Sequence, residues 1–409
     1  MCPRQERGTL IAAVCRIVKK GAMWIVPSQS DGNKKYTVHP DEQQPFCSCP
    51  DFEARGCSCK HIYAVRLVIQ REENTDGTET VTKTMTVTES TTQPKKPTYP
   101  QMWKEYNAAQ TNEKDHFQAL LADLCDMIQE PEAKPSRGRP KLPMSDCVFM
   151  TCFKVYSTIS QRRFMCDLDD AHEKGYITRT PHYNAIGSSL EDEAMTPLLM
   201  KLIAASALPL KAIETEFAID ASGFAGTKFA RWIDYKHGGF REVREWVKAH
   251  VVCGVKTHIV TAAVVTHRDA NDCPFLPELL AKTKENFDIR ELSADKQYAS
   301  QINFEAVDAI GADAFIDFRV TTTGGCGGMF AKAFHFFQMY KEEFFASYHK
   351  RSNVESVFNM IKRKMGDSVR SKDDTAMKNE VLCKILCHNI CCLISAFYEL
   401  GVEPKFLSA

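Results

Sequence analysis

Tyr348, Arg351, Glu355 and Lys362 follow one another at intervals of three, four and seven residues. On a helix of 3.6 residues per turn, Tyr348, Glu355 and Lys362 fall within a sector of about 60° from Arg351. Val354, Val357, Phe358, Ile361 and Met365 occupy the adjoining sector, the face that turns to a core. One carboxylate, two cations and a phenol thus line the edge of a buried stripe. The acid can hold a divalent cation and its neighbours can hold phosphate. Two further acids suit the same task. Asp220 lies near the end of the apolar strand EFAIDASGF, before a Ser-Gly turn, and Asp295 lies within the strand-like IRELSADKQYAS. Each sits where a strand gives way to a loop, the usual place for a site in an α/β sheet. Three oxygen ligands leave room around Mg2+ (or Mn2+) for water and phosphate. Two such ions can activate a water or a sugar hydroxyl and stabilise the leaving oxygen of an in-line phosphoryl displacement. Arg351 and Lys362 would hold backbone phosphates beside them.

A second constellation stands near the N-terminus. Cys47-x-Cys49, a nine-residue gap and Cys59-x-His61 supply four ligands of the kind that close a tetrahedral zinc site, with no position left for catalysis. A strand pair would deliver the first two thiolates, and His61 would open the helix Ile62–Arg71 that closes the site. This segment resembles the SWIM zinc finger, whose pattern it meets at Cys47, Cys49, Cys59 and His61. Cys57 is an extra thiol that could replace Cys59.

These residues need elements to position them. The chain has 409 residues, enough for two or three domains, with 44% hydrophobic and 25% charged residues and zero net charge. Nucleic-acid binding must therefore come from local basic patches, and a histone-like, purely electrostatic binder is disfavoured. Seventeen cysteines without a secretory signal point to a reducing, intracellular compartment, where thiols fill cores or bind metals. Val381–Leu400 is apolar but carries Lys384 and His388, which makes it a buried helix in preference to a membrane span.

In chain order, MWIVP and KKYTVH flank Asp31-Gly32 as a hairpin with a longer loop. Glu72–Pro100 is rich in Thr and interrupted by proline, so it reads as a linker. Phe117, Leu120, Leu121, Leu124 and Ile128 then form one helical face ended by Pro131. Arg137-Gly138-Arg139-Pro140 resembles an AT-hook, whose arginines lie in a narrow minor groove; the alternative is a basic linker. Ser145-Asp146 can cap the next helix, with the face Val148, Phe149, Cys152, Phe153 and Tyr156. After the break STISQ a second helix, Arg162–Lys174, carries Arg162 and Arg163 at its head. The pair suits a helix-turn-helix or a helical connector. Two more helices follow across Pro181–Leu208.

Beyond Pro209 the pattern changes to strands and crossovers, including KFARWIDY and the long WVKAHVVCGVKTHIVTAAVVTHR. A helix from Pro274 to Thr283, a further helix, the strand DAFIDFR and a glycine-rich turn lead to the segment bearing Glu355. Strands with interspersed helices imply a mixed sheet covered by helices. Asp272 reads as an N-cap, and Trp232 and Trp246 as core side chains in preference to base-stacking ones. Cys383, Cys387 and Cys391, with His388, read as a packed helix in preference to a zinc site.

Residues from about Tyr106 to Gly366 resemble a DDE transposase of the insertion-sequence type. Its third-acid signature, Y-(2)-R-(3)-E-(6)-K, is met by Tyr348, Arg351, Glu355 and Lys362, while IDASG and ADKQY match the strands of the two aspartates. The resemblance implies a ribonuclease H-like core with Asp220, Asp295 and Glu355 as catalytic Mg2+ ligands. It also implies cutting of element ends followed by attack of the freed 3′-hydroxyl on target DNA. Some relatives carry a β-rich insertion before the third acid, and the spacing here leaves no room for a large one. The expected architecture is multidomain α+β: a SWIM domain at 1–73, a linker at 74–100, and a helical DNA-binding region at 101–209 with Arg137 and Arg139. A ribonuclease H-like mixed-sheet α/β catalytic domain at 210–370 and a C-terminal helix at 371–409 complete it. The expected partner is double-stranded DNA, bound by a homodimer in a prokaryotic cytoplasm without membrane attachment. The rival readings are a catalytically silent DNA-binding derivative and a nuclease that cuts without joining.

Overall fold

A computed structural model describes residues 3–28, 34–41, 43–73, 102–130, 141–226, 246–319, 321–323, 325 and 327–406. The chain forms two compact units, Met1–Tyr99 and Pro100–Ala409.

In the first unit, α1 (Pro3–Val14) precedes a four-stranded antiparallel sheet, β1 (Val18–Lys20), β2 (Met23–Pro27), β3 (Lys35–His39) and β4 (Phe46–Cys47), in sequence order. Alternation in MWIVP turns Trp24 and Val26 inward, where Trp24 pairs with the equally buried Val38. The expected hairpin strands pair in this way, and its Asp31-Gly32 turn lies outside the described residues. Two short helices' worth of structure was not anticipated: α1, and α2 (Pro50–Arg55), which starts on Pro50 and stops at Gly56 with φ 64°. The helix α3 (Lys60–Glu73) closes the unit. It packs on α1 so closely that a Cβ on Gly8 would stand 2.7 Å from Tyr63 Cβ and 2.9 Å from the Lys60 carbonyl oxygen.

Among the described residues the second unit opens with six helices: α4 (Trp103–Thr111), α5 (Glu113–Asp126), α6 (Met144–Ser157), α7 (Gln161–Glu173), α8 (Asn184–Leu190) and α9 (Met195–Ala207). Phe117, Leu120, Leu121 and Leu124 of the face expected of α5 are buried in the same hydrophobic core as the sheet that follows, while Ile128 lies past the end of the helix and is partly buried against that core. The helical stretch from 101 to 209 thus shares a core with that sheet. The cap expected at Ser145-Asp146 is not formed. Glu130 reaches over to accept the Met144 and Ser145 backbone N–H groups, each at 2.8 Å, and Asp146 is buried, accepting from Thr178. Burial on nearly every side of α6, from Val148 to Val155, leaves α7 as the exposed partner of that pair.

The sheet comprises β5 (Glu216–Gly226), β6 (Trp246–Gly254), β7 (Val260–His267), β8 (Glu291–Ala294), β9 (Asp313–Ile316) and β10 (Ser368–Val369). The strand order is β7-β6-β5-β8-β9. β5, β6 and β7 form an antiparallel meander, and β8 and β9 continue parallel to β5, the mixed order of a ribonuclease H-like core. On its other edge β5 pairs with β8 at Glu216–Ile219 and with β10 at Ala225 and Gly226, which leaves residues 220–224 unpaired on that side. Crossovers are supplied by α10 (Leu276–Lys284), α11 (Gln301–Ala309), α12 (Gly328–Met339) and α13 (Lys341–Tyr348), before α14 (Ser352–Met365) and α15 (Asp374–Leu400).

Three local expectations change. The Ser-Gly turn after Asp220 is absent: β5 runs on through Ser222 and Gly223, paired with Ala249 and Lys248, because β6 offers a ladder along its whole length. The strand in IRELSADKQYAS is confined to Glu291–Ala294, and Lys296–Tyr298 is a 3₁₀ turn. The helix drawn from Tyr348 to Lys362 is broken by a 3₁₀ turn at His349–Arg351 between α13 and α14.

By length and composition α15 could cross a membrane, yet most of it is buried inside the protein. Its buried polar side chains are engaged. Glu380 accepts the Arg370 and Ser371 N–H groups, Lys384 donates to the Gly366 and Ser368 carbonyls, and Asn389 bonds Val260 through both N–H and C=O. Such satisfaction is what a core helix requires of buried polar groups.

Candidate active site and metal centres

The active-site candidate is built on the unpaired stretch of β5. Ile219 is the last β5 residue paired with β8, opposite Ala294, so Asp220 and Asp295 both fall one residue past that pair. Asp220 Oδ1 accepts the Ala221 N–H at 2.8 Å; Asp295 caps its 3₁₀ turn, accepting the Lys296 N–H at 2.7 Å. The period of two then places Ser222 and Phe224 on the Asp220 face of the sheet.

The third acid arrives on α14. Val354, Val357, Phe358, Ile361 and Met365 are buried as the helical face requires. Burial of five such side chains contributes on the order of 10 kcal/mol as an upper bound. A partly exposed ion pair adds about 1 kcal/mol or less, so packing docks the helix and charge sets its register. That register is read at two consecutive residues. Lys350 Nζ lies 2.7 Å from both Glu216 and Glu291, a cross-strand pair of like charges that would repel without it. Arg351 spans two of the candidate acids, with Nη2 2.7 Å from Glu355 and Nη1 3.3 Å from Asp220. Tyr348 is half-buried, with its ring 6.0 Å from the Arg351 guanidinium carbon, and burial raises its phenol pKa. Lys362 Nζ donates to Ser222 Oγ at 2.6 Å, and desolvation lowers its pKa.

Burial pushes Asp220 up to about 6; the Ala221 N–H and Arg351 oppose the shift, while Asp295 and Glu355 add to it. Asp220 therefore feels both other carboxylates, with one guanidinium between it and Glu355. This donor set, hard oxygens with surplus negative charge, fits a divalent cation. The three acids do not reach the tight mutual spacing found at the cysteine cluster, the group among the described residues whose ligand atoms all lie within 4.8 Å of one another.

That cluster is Cys47, Cys49, Cys59 and His61, all buried. β4 carries Cys47, Cys49 stands at the N-cap of α2, Cys59 immediately precedes α3, and His61 lies in its first turn. One strand and two helix starts thus replace the strand pair expected to deliver the thiolates. His61 Nδ1 is 3.8 Å from both Cys47 and Cys59 Sγ, close to the ~3.6 Å separation of ligands in a tetrahedral zinc site. The Cys47 thiol, against the effect of burial, helps hold Cys59 down at about 4, while Cys47 itself is pushed up. Cys57 is exposed, receives a hydrogen bond from Arg4 at 3.5 Å and stands outside the set, which resolves the choice in favour of Cys59.

Other candidates are placed as follows. Arg137, Arg139 and Trp232 lie outside the described residues. Trp246 is half-buried on β6, its ring so close to Gly223 that a Cβ there would meet it at 2.9 Å. Asp272 does not cap with its side chain; it pairs with Lys248 at 2.5 Å, beside His250 at 3.6 Å. The half-buried strand lysine brings a full charge, which makes it a stronger partner than turn N–H groups. His388 meets the His258 carbonyl at 2.9 Å, Cys387 donates to the Cys152 carbonyl, and these α15 residues form no metal cluster among the described residues. Arg162 is exposed and lies 5.1 Å over the Tyr183 ring. Ser222 and Lys350 were missed by sequence reasoning. Alternation along β5 would have revealed Ser222 had the strand not been ended at Asp220.

Residues 211–390 match the model of the transposase DDE domain, and residues 36–69 match that of the SWIM zinc finger. No curated protein matches the chain.

Proposed function

We propose that this chain, which carries a transposase DDE domain behind a SWIM zinc finger, is the DNA-cutting and DNA-joining enzyme of an insertion sequence. In this reading Asp220, Asp295 and Glu355 hold the Mg2+ (or Mn2+) ions, and Tyr348, Arg351 and Lys362 engage the backbone of the cut strand. When bound, such ions activate the attacking oxygen and stabilise the leaving one. The observation that carries the reading is Arg351 standing between Asp220 and Glu355, next to the strand end that bears Asp295.

The protein's own groups have separable tasks. Burial raises Asp220 towards neutrality and Arg351 opposes that rise, which helps keep the carboxylate charged for a cation at neutral pH. Lys350 fixes the start of α14 on β5 and β8, which holds Glu355 against the strand acids. Tyr348 ends α13 and Lys362 lies on α14, on either side of Glu355 in the chain, so different phosphates of one strand meet the two. The finger's ligands close a structural zinc site, and Arg137 and Arg139 would enter an A·T-rich minor groove. Two element ends cut in concert call for a homodimer on DNA, and such an element works on chromosomal DNA in a prokaryotic cytoplasm.

The test is incubation of the purified protein with labelled DNA from the flanks of its gene, with and without Mg2+, followed by sequencing of products. End cleavage and target joining are expected from the wild type. Asp220→Asn, Asp295→Asn and Glu355→Gln should each abolish both while DNA binding persists. Undiminished cutting by any one of them overturns the assigned triad, and cutting without joining makes the protein a nuclease.

A further inference from the structure

Lys362 of α14 reaches across to β5. Among the described residues it forms no ion pair, although the charge of Asp367 reaches it. Its ammonium donates to a neutral hydroxyl, Ser222 Oγ, at 2.6 Å and lies 5.1 Å from the centre of the Phe224 ring and 6.0 Å from that of Phe358. Aromatic faces attract a cation but take none of its three N–H donors in a full hydrogen bond. Two donors are therefore left over. A salt-bridged lysine would have to give up its partner before meeting a phosphate; this one would not.

Ser222 is the other half of the arrangement. Because its oxygen accepts from Lys362, its own O–H must point elsewhere, and no described residue accepts it. Ser222 stands two residues beyond Asp220 on the same face of β5, about 7 Å along the strand. It falls in the stretch that neither β8 nor β10 pairs on that side. The hydroxyl and the ammonium thus present adjacent donors beside the acid edge.

We propose that Ser222 and Lys362 form a single two-donor clamp for one backbone phosphate of the strand being cut, with Ser222 both binding that phosphate and positioning the ammonium. The assignment rests on the transposase reading and adds to it a residue outside the acid triad. The lysine contributes charge, and the serine contributes direction.

Fluorescence anisotropy with a short labelled duplex from the flanks of the gene, without divalent cation and over a salt series, tests the clamp. Thermal unfolding of each variant checks the fold. Ser222→Ala should weaken binding about five-fold with an unchanged salt slope, since a neutral donor is lost. Lys362→Met should weaken it further and lower the slope by about one. The double variant should bind no more weakly than Lys362→Met alone, because the two groups act as one, and Ser222→Thr should restore wild-type affinity. Wild-type affinity in a folded Ser222→Ala protein, or losses that multiply in the double variant, overturns the clamp but leaves the transposase reading standing if the wild type cuts DNA. A wild-type protein that binds no duplex overturns both.

Discussion

Arg351 donates to Glu355 across 2.7 Å, one helical turn further on, and the other arm of the same guanidinium stands 3.3 Å from Asp220. A strand acid and a helix acid far apart in the chain are thereby held together by a group that carries the charge a metal ion would bring. Under the proposed function, a divalent cation would compete with Arg351 for these carboxylates.

Replacing Arg351 by Gln should destabilise the metal-free protein by about 1 kcal/mol, because the carboxylates are left facing one another. The same variant should bind Mn2+ more tightly than the wild type, seen as a larger Mn2+-induced rise in unfolding temperature. An Mn2+ shift equal to that of the wild type would show that arginine and cation do not share these acids.

Metal analysis should find about one zinc per chain. Cys59→Ser should lose it along with the fold of the N-terminal unit, whereas Cys57→Ser should retain both, as Cys57 stands outside the ligand set. Zinc content that falls with Cys57 and survives loss of Cys59 would reverse the assignment.

His388 is buried on α15 beside the His258 carbonyl and Cys392, and burial depresses it to about 4, with the positive charge of Lys364 acting in the same direction. Its ordinary value is 6.5, so between these limits the unfolded chain takes up the proton and the folded one does not. Stability should therefore be lost as pH falls from about 6.5 towards about 4, by on the order of 2 kcal/mol from this group. His388→Gln keeps an N–H donor and cannot titrate. Urea midpoints across that range should fall less steeply in the variant; parallel curves would remove His388 from the acid response.

Gly254 closes β6 against Glu214, which is fully buried and accepts the Lys256 and Thr257 N–H groups of the turn into β7. A Cβ there would lie 2.6 Å from Glu214 Cγ. Gly254→Ala should cost about 2–4 kcal/mol through overpacking and loss of the turn's acceptor. A shift below about 0.5 kcal/mol in a denaturant titration would mean that the turn moves aside freely.

Much was legible where local rules suffice. The α14 stripe and the inward Trp24 and Val38 follow from periodicity, because each depends on which side of one element is apolar, and the burial of α15 follows from its long apolar run. Strand length was not legible. Ser222-Gly223 has turn-forming chemistry, yet it lies in a strand because β6 supplies partners on one edge. Asp146 likewise looks like a cap in isolation and is drawn into the interior by Thr178, while Glu130 from another segment takes the capping role.

The sequence by itself determined the kinds of chemistry present: three carboxylates with a Y-R-E-K spacing, and a thiol–imidazole set with a fixed gap. Residue type and separation along one chain settle what a group can bind. Tertiary structure alone decided which groups meet. Cys59 rather than Cys57 joins the buried thiol–imidazole cluster, Arg351 lies between Asp220 and Glu355, and Lys362 meets a hydroxyl. Such pairings depend on strand register and on the rotation of packed helices, which are fixed by contacts between residues distant in sequence and leave no mark in any local pattern.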